Sequence, residues 1–222
     1  MSATKKQYVP GFMTKGPPRW AVAVSILVII VLGAVLIRAA TVGAHSAQGA
    51  ANAQATPTLS GTSMQLHPAP AFTLVDQNGA TLSMASLRGK VVVLTFLDAT
   101  CTQQCPLMIE WLNWTTTFMS PQQVSQIAWV AISVNPNNTP ALANTFLKKN
   151  KAAMNMRFLL GTQAQLQPLW KAYYIAVIPS PTDVSHTSGL YVIDQQGRER
   201  SWHDAAFDPP ALATDLKQLL AA

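Results

Sequence analysis

Residues 91–106 read VVVLTFLDATCTQQCP, a stretch that places both cysteines of the chain in one short loop. Val91–Leu97 is apolar almost throughout, which is typical of a strand buried on both faces of a parallel sheet. The loop after it carries Cys101 and Cys105, and Pro106 favours the first turn of a helix. This arrangement aims both sulfurs at a helix N-terminus, where the dipole favours thiolate over thiol. Thiolates bind soft metals or exchange disulfides, so two chemistries remain open.

The rest of the C-terminal part alternates between strand and helix patterns. Ile127–Val134 is a second apolar strand, and residues 106–118 supply a crossover helix between the two, which makes a βαβ unit. Alternating residues at 72–76 and 80–84 flank Asn78-Gly79 and predict an N-terminal β-hairpin. Further helices are predicted at 139–150, 164–174 and 209–220, and further strands at 158–160, 189–194 and 198–202. Residues 69–222 are therefore predicted to form a thioredoxin-like α/β domain with an added N-terminal β-hairpin, its cysteine loop at the carboxyl edge of the sheet.

An uncharged apolar run extends from Trp20 to Ile37, between Arg19 and Arg38. As a helix it would be roughly 27 Å long, close to the hydrocarbon thickness of a bilayer. Four basic residues and no acidic ones precede it, which predicts a cytoplasmic tail at 1–19, a single transmembrane anchor at 20–38 and an exported remainder. We expect a bacterial inner-membrane protein with a periplasmic C-terminal domain. A cleaved signal peptide is the alternative, because small-residue motifs resembling cleavage sites follow at 42–44 and 51–53.

Residues 39–68 are small or polar and contain no Lys, Arg, Asp or Glu. They predict a flexible linker with a reach of roughly 30 Å.

The charged residues are distributed unevenly between the N-terminal segment and the rest of the chain. Of the fifteen Lys and Arg residues, five precede residue 39, while all nine Asp and Glu residues lie beyond residue 70, which leaves ten basic and nine acidic residues there. The domain has no basic excess to neutralise phosphates, so the composition argues against nucleic-acid binding.

Three residues separate Cys101 from Cys105, whereas proteins that exchange disulfides in the manner of thioredoxin usually have the motif C-x-x-C. That chemistry also needs a cis-proline before the late strand, yet no proline lies between Pro181 and the strand that begins near Gly189. His186 occupies that approach instead, more than eighty positions after Cys101. Two thiolates and one imidazole suit copper, with zinc plus water as the lesser candidate. A surface role for the histidine and a disulfide between the exported cysteines both remain alternatives.

The chain resembles the SCO/SenC family of membrane-anchored copper proteins, which have a C-x-x-x-C-P loop after a buried strand and a distant copper-ligating histidine. The match runs in consistent order over roughly residues 69–222. It includes Ser133–Pro136, Thr139-Pro140, Phe158–Thr162, Lys171–Tyr173, Val184–Thr187 and Leu190–Asp194.

The resemblance implies that Cys101, Cys105 and His186 are copper ligands. It implies a metallochaperone that helps to place copper, as Cu(I) or Cu(II), in the dinuclear copper centre of a respiratory oxidase, or that keeps the cysteines of that centre reduced. The implied partner is the copper-accepting oxidase subunit, with other copper chaperones and thiol reductases as further candidates. This chain departs from the family pattern at Thr102-Gln103, where proline and an acidic residue are common, and at Asn135, where an acidic residue is common.

Two enzymatic alternatives use the same cysteines. An extracytoplasmic thiol–disulfide reductase would use Cys101 and Cys105 as its catalytic pair and act on the oxidase cysteines. A peroxiredoxin-like peroxidase would use Cys105, because Thr102–Cys105 matches the T-x-x-C turn of that family. Arg157 is then the candidate for the arginine that stabilises the thiolate.

Overall fold

The computed structural model describes residues 58–179 and 184–222. The strands are β1 (Thr62–Ser63), β2 (Thr73–Asp76), β3 (Thr81–Ser83), β4 (Val91–Leu97), β5 (Ile127–Ser133), β6 (Arg157–Leu160), β7 (Val177–Pro179), β8 (Val184–His186), β9 (Gly189–Ile193) and β10 (Glu199–Asp204). The helices are α1 (Gln104–Thr117), α2 (Pro121–Gln126), α3 (Pro140–Lys149), α4 (Gln163–Ala172) and α5 (Pro209–Leu220). The predicted tail, the anchor at 20–38 and most of the linker lie outside the described residues. Within residues 58–179 and 184–222, no helix is both long enough and apolar enough to cross a membrane.

One mixed sheet organises the domain, with the strand order β1-β10-β9-β4-β5-β6-β2-β3. The central strands β4, β5 and β6 are parallel, while β9 pairs antiparallel with β4. All seven residues of β4 are buried, as its apolar sequence predicted. The β2–β3 hairpin pairs with β6 and ends the sheet. The predicted α/β sheet with an N-terminal hairpin is confirmed.

Helices cover both faces of this sheet because β4 and β5 present apolar side chains to each side. On one face, α1, α3 and α5 pack over Val91, Val93 and Ala131. On the other face, α4 packs Leu166 and Trp170 over Val92 and Leu94. The cysteine loop joins β4 to α1 at the carboxyl end of the parallel strands, where the sequence predicted it.

Several boundaries differ from the prediction for local reasons. Helix α1 begins at Gln104, two residues before Pro106, because the first turn of a helix needs no intrahelical N–H donor and so tolerates proline there. Helix α2 was not predicted; Ser120 and Gln123 form its capping box. Helix α4 runs through Pro168, and a second capping box at its start, between Thr162 and Gln165, offsets the lost bond.

The end of the predicted linker belongs to the folded domain. Strand β1 pairs with β10, with Thr62 opposite Trp202, and Pro68 forms a bridge to Arg198. The backbone N–H of Ser60 donates to the Asp215 carboxylate at 2.9 Å. Leu59 and Met64 of this segment pack against the core, and its polar residues pair through backbone groups. Strand β1 covers what would otherwise be the open edge of β10. The ordered structure therefore begins before residue 69, the predicted start of the domain.

Candidate metal centre

The cysteine loop is built around Asp98, a fully buried residue directly after β4. Its carboxylate accepts hydrogen bonds from the backbone N–H and the hydroxyl of Thr100, both at 2.9 Å. Its backbone carbonyl accepts from the N–H of Cys101 at 3.2 Å, and its own N–H donates to the Cys105 sulfur at 3.5 Å. One aspartate therefore connects the end of the strand to both cysteines.

The sulfur of Cys101 occupies the N-terminus of α1. The backbone N–H of Cys105 donates to it at 3.3 Å, whereas the side chain of Gln103, the N-cap residue, makes no capping bond. A hydrogen bond from the Cys105 thiol, followed by the backbone N–H groups of Cys105, Gln103 and Gln104, lowers the pKa of Cys101 to about 5, against opposition from burial. Cys101 is half-buried and is a thiolate at neutral pH.

Cys105 has the opposite character. It lies in the first turn of α1 with only 2% of its surface exposed. Its hydrogen bond to Cys101 and its burial both raise its pKa, since a second thiolate beside the first would be repelled and poorly solvated. The pair thus consists of one accessible thiolate and one buried thiol that donates a hydrogen bond to it.

His186 reaches this site from a small separate hairpin. Strand β8 pairs with β7, with His186 opposite Val177. Next to it, the N–H of Thr187 donates to the carbonyl of Ala176 at 3.0 Å, and the Thr187 hydroxyl accepts from the Ala176 N–H at 3.1 Å. The histidine was predicted on the approach to the late strand, and this hairpin is the element that holds it there.

The orientation of the imidazole follows from its neighbours. Its Nδ1 lies 2.9 Å from the carbonyl oxygen of Thr187, which can only accept, so Nδ1 carries the proton. The lone pair is then on Nε2, which lies 3.8 Å from the Cys105 sulfur. A backbone carbonyl that holds Nδ1–H is the usual support for a histidine that binds a metal through Nε2.

The structure brings Cys101, Cys105 and His186 to one edge of the sheet, as predicted from their positions in the chain. In the part of the chain that the structure describes, no three His, Cys, Asp or Glu side chains already stand close enough to enclose an ion. Cys105 is the common neighbour of the other two residues. Two sulfurs and an imidazole nitrogen are the donors that a soft ion such as Cu(I) prefers. The residues fit copper in their chemistry, and enclosing an ion requires loss of the Cys105 proton and small side-chain rotations.

Asn135 supports the loop from the end of β5. Its side-chain N–H₂ donates to the two carboxylate oxygens of Asp98, at 3.1 and 3.4 Å. The sequence identified this position as a departure from an acidic residue but did not reveal its partner, because the contact joins residues far apart in the chain. The amide supplies donors to a buried carboxylate where an aspartate would repel it.

Arg157, the arginine considered for the peroxidase alternative, and the buried His203 both lie away from the cysteines. Arg157 forms an ion pair with Asp76 near the start of β6, at the end of the parallel strands opposite the cysteines. It therefore cannot stabilise the Cys105 thiolate, which removes the arginine that the peroxidase alternative needs. His203 is buried under α5, where Nε2 lies 2.9 Å from the Ser201 hydroxyl and 3.9 Å from the Asp215 carboxylate. This is a separate polar cluster.

Comparisons with known proteins agree with this fold. A family model described as SCO1/SenC matches residues 61–221. A "Putative copper-binding protein" of Stutzerimonas stutzeri is 27% identical over 157 residues, which are 68% of this chain and 76% of that protein. The structure of Bradyrhizobium japonicum ScoI with copper bound is 25% identical, with a TM-score of 0.57 over 69% of this chain and 99% of that one.

A further solved structure is that of BsSco, which is described as a member of the Sco family of cytochrome c oxidase assembly proteins with a disulfide switch. It shares 22% identity and a TM-score of 0.59, covering 70% of this chain and 95% of that one. The structural matches confirm the thioredoxin-like α/β fold.

The different environments of the two thiols predict selective alkylation. In the reduced, metal-free chain, iodoacetamide should modify Cys101 at a nearly constant rate down to about pH 6 and at about half that rate near pH 5, while buried Cys105 remains unmodified. Cys105→Ala removes the thiol donor and should shift the pH profile of Cys101 to higher pH. Peptide mass spectrometry gives both rates, and equal labelling of the two cysteines would contradict this description of the site.

The contact between Asn135 and Asp98 predicts a stability change. Asn135→Asp replaces a donor by a like charge beside a buried carboxylate, so the free energy of unfolding of the reduced chain at neutral pH should fall by about 1–3 kcal/mol. Asn137→Asp is the matched control, because the Asn137 side chain is exposed two positions away. Urea denaturation measures both variants, and equal midpoints would show that the amide contributes nothing.

Proposed function

The chain belongs to the SCO1/SenC family, and on that premise we propose that its domain binds one copper ion through Cys101, Cys105 and His186 and delivers it to the copper centre of a respiratory oxidase. The observation that carries the proposal is the approach of His186 Nε2 to the Cys105 sulfur at 3.8 Å, beside the Cys101 thiolate. The copper-bound ScoI relative and the oxidase-assembly description of BsSco support the choice of metal and of acceptor.

The three residues contribute differently to the capture of copper. Cys101 is the accessible thiolate and makes the first bond with the incoming ion. The ion then displaces the proton of Cys105, so one proton is released for each copper bound. His186 offers Nε2 to the ion, because its Nδ1 is held by the carbonyl of Thr187. Three ligands leave one side of the ion open, which allows an acceptor cysteine to attack it and take it over.

We further place this domain on the outer side of a bacterial inner membrane, held by a helix at residues 20–38. The uncharged apolar run and the basic residues before it support this location. A tether brings the domain to membrane-bound partners such as the oxidase subunit that accepts copper.

A second function, thiol–disulfide reduction of the oxidase cysteines, is favoured by the asymmetry of the two thiols. The Cys101 thiolate would attack a partner disulfide, form a mixed disulfide and release one partner thiolate. Cys105, once deprotonated, would attack the Cys101 sulfur and release the second partner thiol, leaving a Cys101–Cys105 disulfide. The two electrons pass to the partner, and an external thiol reductant would restore the pair.

Copper binding provides the first test. The reduced full chain given Cu(II) should show intense thiolate-to-copper charge-transfer absorption, and His186→Ala should shift this band and weaken copper binding by about tenfold or more, since one of three ligands is lost. His67→Ala is the matched control, because His67 is exposed. An unchanged spectrum and unchanged affinity in His186→Ala would exclude the histidine from the site.

Trapping of a mixed disulfide with the partner distinguishes disulfide reduction from copper delivery. If the domain reduces disulfides, Cys105→Ala should accumulate a mixed disulfide through Cys101 when it meets an oxidised copper-centre domain, because the resolving thiol is missing. Mass spectrometry detects the adduct. Absence of the adduct, together with copper transfer from the unmodified chain to a reduced copper-free domain, would leave delivery as the function. An adduct from a chain that binds no copper would leave reduction instead.

A further inference from the structure

Helix α1 carries a second apolar face that the domain core does not use. Its inner face is buried and consists of Cys105, Met108, Ile109 and Leu112. Residues 107, 111, 114 and 118 recur at intervals of four, three and four, so they lie in one narrow line on another side of the helix. We call this line the outer stripe of α1; it consists of Leu107, Trp111, Trp114 and Phe118.

Most of the outer stripe faces outward. Leu107 is 46% exposed, Trp114 52% and Phe118 41%. Trp114 and Phe118 are in contact with each other, with their ring centroids 6.2 Å apart. Trp111 is half-buried and packs edge-on against Phe207, which anchors the line to the domain. Large side chains grouped in this way on a surface mark an interaction site more often than scattered ones do.

Two lysines lie near the outer stripe. Helix α5 packs against α1, and its Lys217 reaches the carbonyl of Phe118, with Nζ 3.4 Å from the oxygen. The Asn113 side chain donates to the carbonyl of Lys151 at 3.0 Å, which places Lys151 beside α1 as well. The acidic residue on α1 itself, Glu110, borders the stripe, since it lies three residues after Leu107 and four before Trp114. The surface is therefore aromatic along its centre, with Lys217 and Lys151 near it and one acidic residue beside it.

We propose that the outer stripe of α1 docks on the surface of an anionic phospholipid bilayer, the membrane in which the predicted anchor lies. Tryptophan and phenylalanine insert at the level of the lipid headgroups, while nearby lysines pair with anionic phosphates. A protein partner or a second copy would need complementary acidic groups around an apolar groove. The part of the predicted tether that precedes the folded domain, residues 39–57, already keeps the domain within roughly 25 Å of the lipid.

Docking through this stripe orients the candidate metal centre. Leu107 follows Cys105 by two residues, so the stripe begins one turn from the cysteine loop and leads away from it along α1. The domain would then present its cysteine edge at a defined height above the membrane. The inference does not depend on copper binding.

Footprinting of the reconstituted full chain tests the proposal. The chain is placed in nanodiscs of phosphatidylcholine with phosphatidylglycerol, in nanodiscs of phosphatidylcholine alone, and in detergent, and hydroxyl-radical labelling is read by mass spectrometry. Trp114 and Phe118 should be protected roughly threefold or more in the anionic discs, and less in neutral discs or high salt. Tyr174, which is 83% exposed and lies away from α1, is the internal control and should label equally throughout.

Charge variants sharpen the result. Lys151→Gln and Lys217→Gln should each reduce the contact with anionic discs by about fivefold. Lys171→Gln, on α4 over the opposite face of the sheet, is the matched control and should have no effect. Equal labelling of Trp114 in all three media would overturn the proposal, as would failure of the chain to co-purify with the discs. Protection that rises with protein concentration in detergent would assign the stripe to a second copy instead.

Discussion

The antiparallel pairing of β4 with β9 is the constraint on which the site depends. Strand β4 is buried along its whole length, and β9 begins beside the end of β4, with Thr95 opposite Leu190. The Thr95 hydroxyl donates to the Gly189 carbonyl at 2.8 Å inside the core. A side chain at Gly189 would meet Trp202 at 2.3 Å, so only glycine lets β9 begin there. The loop that leaves β4 and the hairpin that enters β9 therefore meet at one edge.

The chemistry at that edge depends on the different protonation and exposure of the two cysteine sulfurs. Backbone donors at the start of α1 converge on Cys101, while Cys105 is enclosed by the core and keeps its proton. An accessible thiolate beside a protected thiol suits stepwise reactions, whether the second step binds a metal or closes a disulfide. Nε2 of His186 faces the Cys105 sulfur, so loss of the Cys105 proton lets the two sulfurs and the imidazole act together.

Helix α1 joins several roles in one element. Its N-terminus stabilises the Cys101 thiolate, its inner face completes the core, and its outer stripe remains free for a membrane surface. Asp98 and Asn135 support the same helix from behind, since Asp98 holds both cysteines through its backbone and Asn135 satisfies its carboxylate. The replacement of a family acid by Asn135 leaves less negative charge near the site than the family pattern has.

Much of the fold could be predicted because the signals are local. The apolar runs of β4 and β5, the Asn78-Gly79 turn and the spacing of the cysteines each depend on neighbouring residues. The absence of a proline before the late strand pointed to His186, and the family resemblance then implied that it is a ligand beside the cysteines. The early start of α1, the capped helix α2 and the pairing of β1 with β10 were missed, because caps and edge pairing involve polar backbone groups that leave little hydrophobic pattern.

The sequence by itself determined the strand–loop–helix unit, the order of the elements and the kinds of donor atom near the cysteines. Only the tertiary structure decided that Nε2 of His186 faces Cys105, that Asn135 bonds to Asp98 and that Arg157 lies at the far end of the sheet. These contacts join residues between 37 and 81 positions apart. Sequence periodicity acts over one or two turns, whereas such contacts depend on how strands are ordered in the sheet, so they become visible only when the chain has folded.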